Sequence, residues 1–275
     1  MDGSASPSSA SQSSVSRQKA PWREVAIPSE HGGWSLTAEP VILGLVVAWS
    51  WSGLALGLAA ILAFMARTPL KVVLVDRWRN RWLDRTSLAA AIAATELVVI
   101  IALALWGATS AADQRFWVPL AVAAPLIALE LWFDMRSRSR RLVPELAGAV
   151  GISSIVAAIV LAGGASTTLA VGLWVVVSAR AIAAIPYART QVFRAHDRPV
   201  SLWSSDLAQL AAFAAVTAAW IFGAIPIAPV LAVAAIAVFN VAAVRGSVKR
   251  AVVIGLQQMA FGIAVVTVTA VAVLV

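Results

Sequence analysis

The chain has 275 residues, 61% of them hydrophobic and only 12% charged, with a mean hydropathy of +0.87. Soluble domains run near about 45–50% apolar and roughly 25% charged, so a soluble globule, a disordered chain and a nucleic-acid-binding protein are all excluded. With no cysteine and two histidines, neither a disulfide framework nor a thiolate or multi-histidine metal site is available.

Residues 1–20 hold eight serines and no apolar run. They read as a disordered Ser-rich tail. They lack the apolar core of about 7–15 residues that a signal peptide needs. Residues 21–275 read as one transmembrane helical domain. Nine apolar spans follow one another at 37–50, 52–66, 87–106, 116–133, 146–162, 168–186, 203–223, 226–244 and 252–274. The first two are short for a bilayer core that takes about 20 residues. They predict a tight helical hairpin whose second helix runs on past residue 66. None of the runs alternates apolar with polar residues, which argues against a β-barrel. The expected fold is therefore all-α, a polytopic bundle of about nine transmembrane helices.

Charge supports the count. Twenty of the 21 basic residues fall within residues 17–23 or in the four stretches 67–86, 134–145, 180–202 and 245–251, which lie on alternate sides of a nine-helix count, and Arg115 is the exception. The positive-inside rule then predicts an integral plasma (inner) membrane protein with a cytoplasmic N-terminus and an external C-terminus. Twelve tryptophans against one tyrosine fit the same setting, since Trp favours membrane interfaces.

Polar groups within spans are costly and mark candidate sites. Ahead of the first span stands Glu30-His31-Gly32-Gly33-Trp34. His31 is suited to acid, base or anion contact, and Trp34 to interfacial anchoring. Glu39 precedes Pro40 at the start of span one. Arg67 and Lys71 are spaced i, i+4 and share a helical face. Pro69 between them predicts a kink or a new helix start. Two readings stand for this pair: cations lining a cavity, or side chains snorkelling to the headgroups. After Val75, the run Asp76 to Arg85 predicts an amphipathic helix on the inner leaflet, with Trp78 and Trp82 at i, i+4 and four arginines toward anionic lipid.

Glu96 sits mid-span in helix three, as a structural acid or a coupling residue. Glu130 and Asp134 share a face in helix four. Gln209, Asn240, Gln257 and Gln258 are expected to bond between helices. Span six carries Arg180, then Pro186, Tyr187 and Arg189. The tripeptide Ala-Arg-Thr occurs at 66–68 and at 188–190, a short internal similarity.

The segment Glu30 to Trp34 resembles the N-terminal motif of the YwiC-like membrane proteins, as does Arg180-Ala181-Ile182-Ala183-Ala184-Ile185-Pro186-Tyr187-Ala188-Arg189-Thr190 in span six. More distantly, nine helices with basic connections after helices two, four, six and eight resemble the UbiA prenyltransferase architecture. In that family, Asp-rich motifs after helices two and six bind magnesium, which holds a prenyl diphosphate. The first motif reads Asn-Asp-x-x-Asp-x-x-x-Asp. Here the first loop offers only Asp76 and Asp84, and the second only Asp197. The resemblance thus implies a UbiA-like arrangement without its metal site.

The residues support a cytoplasm-facing basic pocket for an anionic amphipathic ligand, an anionic lipid or isoprenoid, in a membrane enzyme or lipid-binding protein. Arg67, Lys71, Arg180 and Arg189 would hold the anion. His31 with Glu39 or Glu130 would move protons. Trp34 and Tyr187 complete the candidate set. Arg67, Lys71 and Arg180 are expected to converge within reach of His31 and Glu130. Competing readings are a transporter of a small anion, with Glu96 at the midplane, and a structural subunit. No cofactor follows from the sequence; the bilayer is the expected partner and nucleic acid is not.

Overall fold

A computed structural model describes residues 31–136 and 141–275, with His31 and Gly32 described by backbone alone. The expected Ser-rich tail, Glu30, the His31 side chain, Arg138 and Arg140 lie outside the described residues. The described residues form ten α-helices and a short 3₁₀ turn, with no strand among them. The helices are α1 (His31–Val47), α2 (Trp51–Trp78), α3 (Asp84–Ser110), α4 (Trp117–Met135), α5 (Leu142–Ser153), α6 (Ile155–Ala162), α7 (Thr167–Ala195), α8 (Trp203–Ile221), α9 (Ile227–Ala243) and α10 (Ala251–Leu274). A single residue, Ser154, separates α5 from α6, so these two make one span and the described chain has nine.

Six of the spans are long and apolar enough to cross a membrane. A bilayer has no water to satisfy backbone polar groups, which leaves helices as the structure these runs can take. The expected hairpin of spans one and two is present. Its turn is held by Ser50, whose Oγ accepts from Gly53 N at 2.9 Å. α2 does run past residue 66, and Pro69 neither kinks it into two helices nor starts a new one. A membrane helix tolerates the missing N–H donor because neighbouring groups replace it.

Short connections alternate between the two ends. At one end Ala112 N donates to Ala162 O at 2.9 Å and Ser52 Oγ donates to the same carbonyl at 3.2 Å. At the other, Arg245 grips Asp206 through Nη2 and Oδ2 at 2.6 Å, and Arg194 donates to Gly246 O at 3.0 Å. That second end carries the basic connections and is called the basic end below. The exception, Arg115, lies at the opposite end beside Asp113, at 2.8 Å. Donation from the Arg115 side chain and backbone holds the Asp113 carboxyl below the usual carboxylate range, so the exceptional charge is locally neutralised.

The expected amphipathic helix across residues 76–85 is not formed. α2 ends at Trp78, Asn80 takes a left-handed φ of 50°, and α3 begins at Asp84. Asp76 organises this turn. It is almost fully buried and accepts from Arg81 Nε at 2.8 Å, Arg85 Nη2 at 3.4 Å and Thr86 Oγ1 at 2.7 Å. A buried carboxylate needs such donors. Two of the four arginines expected to face lipid therefore fold back onto the protein.

The core is centred on α6, whose eight residues are all buried. Leu43, Leu56, Leu173 and Val266 of the surrounding helices pack on it. Around this core the outer faces stay apolar, with Leu97, Ile101, Leu105, Leu231 and Ile263 exposed. An apolar exterior of this extent requires a nonaqueous surrounding. Exposed tryptophans mark the two ends: Trp78, Trp82, Trp132 and Trp203 at the basic end, and Trp49, Trp51, Trp106, Trp117 and Trp220 at the other. Two such belts match the two interfaces of a membrane.

Candidate functional site

Apart from Glu96, the candidate charged residues within the spans form two groups at different depths. The shallow one lies toward the basic end. Arg67 of α2 reaches Glu130 of α4 at 2.8 Å and Asp134 at 2.9 Å. Lys71 reaches Asp134 at 3.2 Å. Both pairs are i, i+4, so each helix presents its two charges on one stripe, and the stripes face each other. Asp134 is fully buried while Arg67 and Lys71 keep partial exposure. Opposite charge at this distance makes the arrangement tolerable in a medium of low dielectric.

The Glu130 carboxylate lies against Gly148 of α5, in the space that a β-carbon would fill. One turn earlier on α5, Glu145 meets Arg189 of α7 at 3.4 Å. The arginines of the two Ala-Arg-Thr tripeptides thus reach the α4–α5 hairpin from different helices, one at Glu130 and one at Glu145.

The deep group contains Arg180 of α7 and Glu39 of α1, with Nη2 and Oε1 3.5 Å apart. Arg180 is 3% exposed and Glu39 5%. Ser35, one turn before Glu39, donates to its Oε1 at 2.5 Å. The glycine at 262 is what admits this contact: the Glu39 carboxylate occupies the place of a Gly262 β-carbon. Arg180 Nη2 also donates to the backbone carbonyl of Gln258, which lies four residues before Gly262 on α10. Nε and Nη1 of Arg180 are buried and have no partner among the described residues.

Arg180 and Arg189 lie nine residues apart, about 13 Å along the α7 axis and on opposite faces. This explains the division of the charges. On the Arg180 face, Tyr187 is fully buried and accepts from Gln191 and Gln257, each at 3.3 Å. Gln191 donates to Ala243 O at 3.2 Å. The glutamines and asparagine bond between helices as expected. Gln258 donates to Asn240 at 3.2 Å, Asn240 to Gln209 at 3.2 Å, and Gln209 to Ala183 O at 2.7 Å. This chain ties α7, α8, α9 and α10 together around the deep pair.

The single cluster expected from the sequence is therefore two. Arg67, Lys71 and Glu130 come together, and Arg180 instead takes Glu39 from α1. Trp34 joins neither group: it stacks edge-on against Phe64 at 5.1 Å and is part-exposed. His31 is the first residue of α1, two turns before Glu39, and its side chain is outside the described residues. Glu96 lies on α3, which packs chiefly along α2, and is half-exposed with one buried carboxylate oxygen lacking a partner among the described residues.

Sequence reasoning missed Ser35, Glu145, Gly148 and Gly262. The i, i+4 spacing of Ser35 and Glu39 was a usable signal. Nothing local could have marked the two glycines, because the groups they admit come from distant helices.

The YwiC-like protein family model matches residues 27–160, a stretch that covers α1 to nearly the end of α6 and includes Glu39, Arg67, Lys71 and Glu130. No curated protein and no solved structure matches the chain. With its six helices of membrane-crossing length and apolarity, the chain is an integral membrane protein, and over residues 27–160 it is similar to the YwiC-like protein family.

Proposed function

We propose that this is a plasma-membrane protein, N-terminus cytoplasmic and C-terminus external, that binds the head of an anionic amphipathic ligand at Arg180. The observation that carries this reading is the guanidinium of Arg180. It is almost fully buried among helices, and two of its three nitrogens have no partner among the described residues. A buried donor without an acceptor costs about 1–3 kcal/mol, more when charged. A carboxylate, phosphate or sulfonate oxygen would relieve that cost.

The nine-span order, with four basic connections at one end, supports a UbiA-like arrangement as part of this reading. The donor set does not fit that family's magnesium–diphosphate site. Asp76 is taken up by Arg81, Arg85 and Thr86, and cations stand where several convergent oxygens would be needed. No prenyl-transfer step is assigned to the chain.

The test is native mass spectrometry of the detergent-purified protein. Wild type should retain an anionic lipid or isoprenoid, and Arg180→Ala should lose it. Equal retention by both proteins would remove Arg180 from the site.

A further inference from the structure

We propose that anion binding at Arg180 is coupled to protonation of Glu39, one proton for each anion bound. This rests on the anion-site reading above and adds a second chemical event to it. The argument is one of local charge. Arg180 and Glu39 are each nearly fully buried and neutralise one another at 3.5 Å. A second anion on the Nε or Nη1 side of the guanidinium would leave one cation with two anions. An uncompensated charge in a medium of low dielectric is strongly unfavourable. Taking up one proton restores neutrality.

Glu39 is the group placed to accept that proton. The elements packed around α1 offer few others. α10 and α6 carry no ionisable residue. On α2, Arg67 and Lys71 are engaged with Glu130 and Asp134 of α4. On α5, Glu145 is engaged with Arg189 of α7. From α7, Arg180 is the charge that faces Glu39, and Tyr187 lies on the same face of that helix, bonded to Gln191 and Gln257.

The step is a simple protonation. A buffer acid or hydronium ion in bulk water gives up a proton, its bond to that proton breaks as an O–H bond forms on the Glu39 carboxylate, and Arg180 keeps its charge for the incoming anion. Ser35 is fitted to both states. Its hydroxyl donates to the carboxylate at 2.5 Å, and a hydroxyl can equally accept from a carboxylic acid.

Decanesulfonate is a suitable probe, because its head remains a monoanion at every working pH. Its binding to full-length protein in a neutral maltoside is measured by calorimetry near pH 8, in buffers of different ionisation enthalpy. Wild type should take up about one proton per sulfonate, and its Kd should rise about tenfold per pH unit where Glu39 is ionised. Glu39→Gln should bind the probe with no buffer dependence. If that variant does not fold, the wild-type buffer series decides alone. Wild-type binding without proton uptake overturns the coupling and leaves the anion site standing. Failure of wild type to bind, or unchanged binding by Arg180→Ala, overturns the anion site and the coupling with it.

Discussion

The carboxylate of Glu39 lies directly against Gly262, in the volume that any larger residue on α10 would claim. This one contact brings α1 and α10 close enough for Arg180 to reach both the Glu39 carboxylate and the Gln258 carbonyl.

Gly262→Ala is therefore expected to destabilise the protein by about 1–3 kcal/mol, the range for overpacking a filled interior. Gly255 on the same helix is the control, since nothing lies within 4 Å of a β-carbon there. Gly255→Ala should be neutral or stabilise by up to about 1 kcal/mol through helix propensity. Thermal unfolding of both variants in detergent, followed by tryptophan fluorescence, checks the difference in sign.

A double-mutant cycle tests the deep pair. Removing one member of a buried ion pair costs about 3–5 kcal/mol, because the other charge is left without compensation. Arg180→Met and Glu39→Gln should each fall in that range. The double variant should be more stable than the sum of the two losses implies. Additive losses in thermal or denaturant unfolding would mean that the two charges do not compensate one another.

Asp134 is the hub of the shallow group, fully buried and shared by Arg67 and Lys71. Asp134→Asn removes the buried carboxylate that Arg67 and Lys71 share, and a loss of about 3 kcal/mol is expected. Lys71→Met in the same background should restore part of that loss, because it removes the surplus charge. The order of thermal midpoints, wild type above the double variant above Asp134→Asn, is the measurement.

The membrane orientation is tested by reporter fusions. Fusions after residues 112, 165 and 225 should read as external, and those after 80, 200 and 247 as cytoplasmic. This follows from the concentration of basic residues on alternate connections. A cytoplasmic reading at residue 165 would overturn the orientation, because that connection joins the most buried span to the helix carrying Arg180.

The number, order and approximate limits of the spans were legible in the sequence. Apolar runs of sufficient length take helical form in a membrane whatever their neighbours are, and the basic residues marked the alternate connections independently. The i, i+4 pairs Arg67–Lys71 and Glu130–Asp134 were legible for the same reason, since helical geometry alone sets which residues share a face. The interhelical role of Gln209, Asn240, Gln257 and Gln258 followed from the cost of an unsatisfied amide in an apolar interior. What the tertiary structure decided was partnership. Arg180 pairs with Glu39 across 141 positions, a choice governed by how α1, α7 and α10 pack and by the absence of a side chain at Gly262. Asp76 draws Arg81 and Arg85 into a turn where the local pattern alone favours a surface helix. In each case a buried charge takes the nearest opposite charge in space, and chain distance has no influence on that choice.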